Sequence, residues 1–182
     1  SDVCSSDLAV LVAFAAPVVP AAAKPPAPSI AVIDIDLILR DSTAATSIRQ
    51  QMEKHESTFQ TEISAQENAL RTADQELAQK KAILAPEAFQ AQVQEFQKKV
   101  AALGELVQKR KKQLDEGYRT SMKQVRDALK DVVQAQMKEQ GLNIVLQKAV
   151  VVDVSKDMDL TQDTLKRLNQ KLPQVTVKLP AN

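Results

Sequence analysis

A heptad seam occupies more than half of this 182-residue chain, and it leaves few folds open. Ile63, Leu70, Leu77 and Leu84 recur every seven residues, with Met52, Phe59, Gln66, Ala73 and Lys80 as a companion row offset by three and four. After Ala85-Pro86 the alternation resumes through Phe89, Val93, Phe96, Val100, Leu103, Val107, Arg110 and Leu114. Apolar residues at this spacing form one stripe of a helix, and so long a stripe is buried by winding against another helix. Residues 42–140 are therefore expected to form two long helices folded back at Pro86, an antiparallel coiled-coil hairpin. Composition agrees: 26% charged residues, 3% aromatic, three glycines and no tryptophan suit long helices better than a wide core.

The first arm is expected to run to about Leu84, roughly 63 Å at 1.5 Å per residue. Gln66 and Lys80 put polar layers in its seam, which fix register, cost stability and imply a wet, flexible arm. Pro86 fits the first turn of the second helix, where its missing N–H costs nothing, and Glu87 suits that positive end. Glu76/Lys80, Glu95/Lys99 and Glu105/Lys109 stand four apart in the favourable order. After Leu114 the apolar row steps by fours through Tyr118 and Met122, a stutter beside Gly117. A packing adjustment where the hairpin enters its base is the simpler reading; a hinge is the alternative.

The flanks supply a small base. Residues 24–29 (KPPAPS) read as an extended linker, and 30–35 (IAVIDI) as a buried strand. Asp36, Asp41 and Ser42 offer N-caps, with a short helix at 37–40 before the main one. Gly141 ends the second arm as a C′ residue. Residues 143–147 (NIVLQ) and 150–154 (VVVDV) read as two strands of a hairpin turning at Lys148-Ala149, although that turn lacks glycine. Thr161 is expected to cap a short helix, with Leu160 and Leu165 as its staple, Leu168 and Leu172 on its apolar face, and Pro173 closing it. The tail, 173–182, is ambiguous between strand and disorder. The base thus comprises 30–41 and 141–172, a three-stranded sheet with one helix. That is a marginal core alone, so several chains are expected to share it, with a symmetric ring as the simplest closure. Ile30, Val32, Ile33, Ile35, Ile144, Leu146, Val150 and Val152 are the candidates for that contact.

Residues 1–23 read as a secretory signal with a truncated or misassembled start. Leu8 to Ala16 is an apolar run too short to span a bilayer, and Ala21-Ala22-Ala23 fits a small-x-small cleavage site, but neither an initiator Met nor a basic region precedes the run. A short buried helix is the alternative. Cleavage would remove Cys4, the sole cysteine, and with it any disulfide or thiolate chemistry. It would also remove Asp2 and Asp7 and raise the formal net charge from +1 to +3. Distribution says more than the sum: residues 36–76 carry four bases and eight acids, whereas 80–112 carry eight bases and three acids.

Catalytic constellations are missing. Three scattered glycines cannot build a phosphate loop, and His55 is the only histidine, so no His pair can hold a metal or relay a proton. His55 reads as a partly exposed coil position. Asp153, Asp157, Asp159 and Asp163 lack the spacing and closing Glu of a calcium loop and read as loop and capping acids. No enzyme activity and no cofactor is expected. The run Lys109-Arg110-Lys111-Lys112 points all round a helix; it is either a solvated face or an attractor of acidic polypeptide, lipid headgroups or nucleic acid, and the secretory signal argues against the last. Near the turn, Ile83, Leu84, Phe89 and Phe96 lie beside Lys80, Lys81, Lys98 and Lys99, which would make a low-specificity surface for an unfolded chain.

The chain resembles the OmpH/Skp family of periplasmic chaperones. The resemblance rests on the opening IAVIDIDLILRDS, the long charged hairpin, the strands within GLNIVLQKAVVVDVSKD, and a D-[IL]-T-x-D-x-L-K segment that reads Asp159-Leu160-Thr161-Gln162-Asp163-Thr164-Leu165-Lys166. It covers residues 30–172. It implies a homotrimer with a shared β-barrel base and basic-tipped arms around a cavity, holding unfolded outer-membrane proteins without ATP. Longer arms, the Pro86 turn and the irregular N-terminus depart from the family pattern, so the client range does not carry over. A periplasmic holdase is the expected function, with acidic lipid headgroups as a further contact and no nucleic acid. The alternative is a structural coiled-coil tether of the cell envelope.

Overall fold

A computed structural model describes residues 27–181; the segment 1–23, expected to be a secretory signal, and the start of the expected linker lie outside the described residues. The chain is mainly helical: β1 (Ile30–Ile33), α1 (Ile35–Asp41), α2 (Thr43–Lys80), α3 (Pro86–Gln140), β2 (Ile144–Gln147) and α4 (Thr161–Lys171). Local chemistry places most boundaries. The Asp34 side chain, not that of Asp36, accepts from Leu37 N to cap α1, and Ser42 accepts from Ala45 N to cap α2. Pro86 opens α3, and Gly141 closes it with φ +66°, the left-handed conformation that an L side chain resists.

Helix α2 ends at Lys80, one turn short of the expected Leu84, and residues 81–85 form the reversal. Helix α3 then folds back along α2, with contacts in reverse order: Leu77 shares a groove with Phe96, Ala69 with Ala102, and Glu62 meets Arg110. At 1.5 Å per residue the two helices are about 57 Å and about 83 Å long.

The base departs from the expected sheet. β1 and β2 pair in parallel, Ile30 opposite Ile144 through Ile33 opposite Gln147. Parallel neighbours need a long crossover, and here α1 and the whole helical hairpin supply it. Residues 150–154 form no strand. Lys148–Val150 is a 3₁₀ turn instead, closed by Val151 N donating to the Lys148 carbonyl, and Lys148 Nζ bonds Asp159 at 2.6 Å. The expected hairpin at Lys148-Ala149 is thus absent. On the other side of β1 a single bridge joins Val32 to Asp159, with Leu160 N donating to the Val32 carbonyl.

The core sits where α1, α2, α3 and α4 meet this strand pair. Ile33, Ile38, Ile48, Val125, Leu129 and Leu168 are buried together. Beyond Phe59 on α2 and before Gln113 on α3 no described side chain of either helix is fully buried. The outer hairpin is therefore two helices covering each other on one side only. Thr161 begins α4 but does not cap it through its side chain; its hydroxyl accepts from Asp34 N, tying α4 to the end of β1. The tail has no regular secondary structure, yet Val175 and Val177 belong to the core.

Candidate functional site

The outer hairpin brings together three of the eight residues singled out near its turn, Lys80, Phe96 and Lys99. A shallow groove of about 200 Å³ crosses the two helices and is lined by Leu77, Lys80, Glu95, Phe96 and Lys99 among others. Lys80, Lys81, Lys98 and Lys99 all face solvent. Ile83, in the reversal, is 81% exposed, while Leu84, Phe89 and Phe96 are half-buried. Apolar Leu77 and Phe96 therefore share one groove with the cations of Lys80 and Lys99. Their charges are partly answered: Lys98 Nζ lies 2.8 Å from Glu95 Oε1, and Lys80 Nζ lies 3.9 Å from Glu76. The hydrogen bond from Lys98 holds the Glu95 carboxyl below its ordinary range, and Glu95 in turn raises the Lys98 ammonium.

The run at 109–112 divides. Lys109, Lys111 and Lys112 are exposed, with Lys112 3.7 Å from Glu116. Arg110 points inward instead. Its Nε and Nη2 reach the two oxygens of Glu62 at 3.0 and 2.9 Å, Nη1 donates to Gln113, and the guanidinium lies 4.5 Å over the Phe59 ring. Its place in the seam row between Val107 and Leu114 signals this role, whereas its membership of a basic run pointed outward. His55 is half-buried on the same helix, its ring 6.4 Å from that of Phe59.

The residues proposed for subunit contact also separate. Val32 and Ile33 are buried inside the chain, and Ile30 and Ile35 are half-buried, Ile35 against the core. Ile144 and Leu146 share the outward face of β2, Val150 is 75% exposed and Val152 is fully exposed. Four branched apolar side chains thus stand in solvent around the strand pair. An apolar groove lined by Ile33, Ile35, Leu129, Val133 and Val145 lies close by.

Two of the four acids weighed as calcium ligands serve the fold. Asp159 accepts from Lys148 and from Thr161, and Asp163 accepts from Gln136 and Arg167. Among the described residues no group of three or more His, Cys, Asp or Glu could hold a metal ion. No described helix is long and apolar enough to cross a membrane.

This arrangement has counterparts. The profile of the OmpH-like outer membrane proteins matches residues 29–168, from β1 through most of α4. The chain belongs to the OmpH-like family. A solved structure of an OmpH-like candidate outer membrane chaperone from Caulobacter crescentus superposes with a TM-score of 0.79, covering 87% of this chain and 94% of that one at 18% identity. At that identity the likeness establishes a common fold. No curated protein matches the sequence significantly. The OmpH-like match ends at 168, so the tail that packs into this core lies beyond it.

Sequence reasoning missed that tail contact. Gln51 and Gln113, which bind the tail backbone, carry no motif; only the alternation Val175, Val177, Leu179 hinted at a strand-like segment.

Proposed function

We propose that the protein is an ATP-independent periplasmic holdase, a homotrimer that receives unfolded outer-membrane proteins among its arms and keeps them from aggregating. The observation that carries this reading is the outer hairpin, whose apolar seam stays half covered while its lysines face solvent. Such a surface gives many weak, unspecific contacts with an unfolded polypeptide, and their sum becomes strong through multivalency. Family membership supports it, and the solved OmpH-like relative is itself named as a candidate outer membrane chaperone.

In this reading Lys80, Lys81, Lys98 and Lys99 with Ile83, Leu84, Phe89 and Phe96 touch the client, and Lys109, Lys111 and Lys112 extend the basic surface. Arg110 instead holds the two helices in register. Ile144, Leu146, Val150 and Val152 meet other copies in a shared β-barrel, completing the sheet that one chain leaves at two strands. The same lysines would meet acidic lipid headgroups. Release needs no fuel, because the client leaves when folding in the membrane is more favourable. Charge attraction at long range speeds capture and weakens with salt.

The test dilutes a urea-unfolded outer-membrane β-barrel protein into the chaperone without nucleotide and follows light scattering. Suppressed scattering is expected. Replacing Lys80, Lys81, Lys98 and Lys99 with Gln should weaken client affinity by about tenfold at low salt and far less at high salt. Persistent client aggregation beside a well-folded oligomer would contradict the reading and favour a structural tether of the envelope.

A further inference from the structure

The tail beyond α4 lies against the base of the hairpin as a strand would, although no strand is beside it. Val175 and Val177 are buried and Leu179 is half-buried, while Gln174, Thr176 and Lys178 between them face solvent. The hairpin reads this segment through its backbone. Gln51 Nε2 donates to the Val175 carbonyl at 2.6 Å, and Gln51 Oε1 accepts from Val177 N at 2.9 Å. One side-chain amide thus reproduces the pair of bonds a neighbouring strand would make. Ser47 holds that amide in place, its carbonyl and hydroxyl both accepting from Gln51 Nε2. Further along, Gln113 Nε2 donates to the Pro180 carbonyl. Gly117 makes room: a Cβ there would stand 2.7 Å from Leu179 Cδ2, and 3.5 Å from both Val177 Cγ1 and the Lys178 carbonyl. These contacts specify an extended backbone and apolar side chains at alternate positions, and little else.

We propose that the hairpin base carries a strand-accepting groove, filled in cis by the chain's own tail, which takes in trans an extended segment with apolar residues at alternating positions. That pattern belongs to a β-strand of an unfolded β-barrel protein. Only this choice of source rests on the holdase reading; the groove itself rests on the tail contacts. A tethered tail competes at a high effective concentration, so a free segment binds the intact chain weakly. The groove lies far from the basic turn, and its hydrogen bonds are salt-insensitive, which separates it from the lysine surface.

The test uses the full chain and two fluorescent ten-residue peptides, one of the tail sequence and one an unrelated strand of alternating Val and Thr. Val177→Ser, which loosens the cis tail, should raise affinity for both peptides by at least about tenfold over wild type. Adding Gly117→Val to that background should remove binding, while Gly104→Val, at a glycine with open space around it, should not. Equal binding by wild type and Val177→Ser would overturn the proposal, as would indifference to Gly117→Val. Binding of the tail peptide alone would also overturn it, leaving a self-strap. Hydrogen exchange on wild type gives a second readout should Val177→Ser misfold. Excess strand peptide should speed exchange of the Val177 amide and spare that of Leu129; an unchanged Val177 rate contradicts displacement. Failure of the scattering test would leave these peptide results standing, so the two readings fail separately.

Discussion

Asp159 shows how much of this base depends on single side chains. It accepts from Lys148 Nζ, from Thr161 N and from the Thr161 hydroxyl, whose oxygen in turn accepts from Asp34 N. The Lys148 hydrogen bond, then that of Thr161, lowers its carboxyl from the ordinary 3.8 to about 2. A depressed folded value stabilises the protein above the unfolded value and loses that contribution as pH falls through the folded one. The window here runs from about pH 4 down to about pH 2. The shift corresponds to at most about 2 kcal/mol, since Lys148 is half exposed and solvent screens the pair. Asp159→Asn is expected to lower stability by about 1–2 kcal/mol at pH 7 in urea denaturation, and to flatten the acid dependence between pH 4 and pH 2. An unchanged acid profile would place the sensitivity elsewhere.

Among the elements, the legible ones were those whose signals are local. Ser42, Pro86 and Gly141 state their boundaries within a turn of sequence, and heptad spacing states the two long helices. Pairing partners are not local. Residues 150–154 have the composition of a strand, but among the described residues they pair with no strand, so β-propensity alone misplaced them. β1 and β2 find each other across the whole hairpin, and no sequence pattern distinguished that parallel match from a two-strand turn. The stutter at Gly117 was readable as a packing adjustment, whereas the Leu179 side chain that packs against it sits 62 positions away, in a tail whose only signal was its apolar alternation. Similarly, the seam row identified Arg110 but not its partner. Glu62 and Arg110 are 34% and 24% exposed in their side chains and form a two-pronged pair across the helices. Glu62→Gln should therefore cost about 1 kcal/mol and raise hydrogen exchange in the middle of both arms, while the buried base changes little. Uniform exchange along the arms before and after substitution would deny the pin this role.

For the whole molecule, the proposed trimer is tested by how the single chain distributes its apolar surface. The chain's core is concentrated at one end, the sheet has two strands among the described residues, and Ile144, Leu146, Val150 and Val152 face water around them. Exposed apolar side chains gathered at a small sheet are the pattern of a subunit contact. In the proposed trimer, Val150→Asp with Val152→Asp should disperse the subunits into single chains that keep their helix content, as read by sedimentation and circular dichroism. The arms would then lose their common cavity, and client protection should fall with the oligomer even though every lysine near the turn remains. The most direct measurement is sedimentation of the chain from Lys24 onward, alone and after an unfolded outer-membrane β-barrel protein is diluted into it without nucleotide. The account predicts a homotrimer alone and a soluble complex of three chains to one client. A monomer that leaves the client to pellet by itself would contradict it.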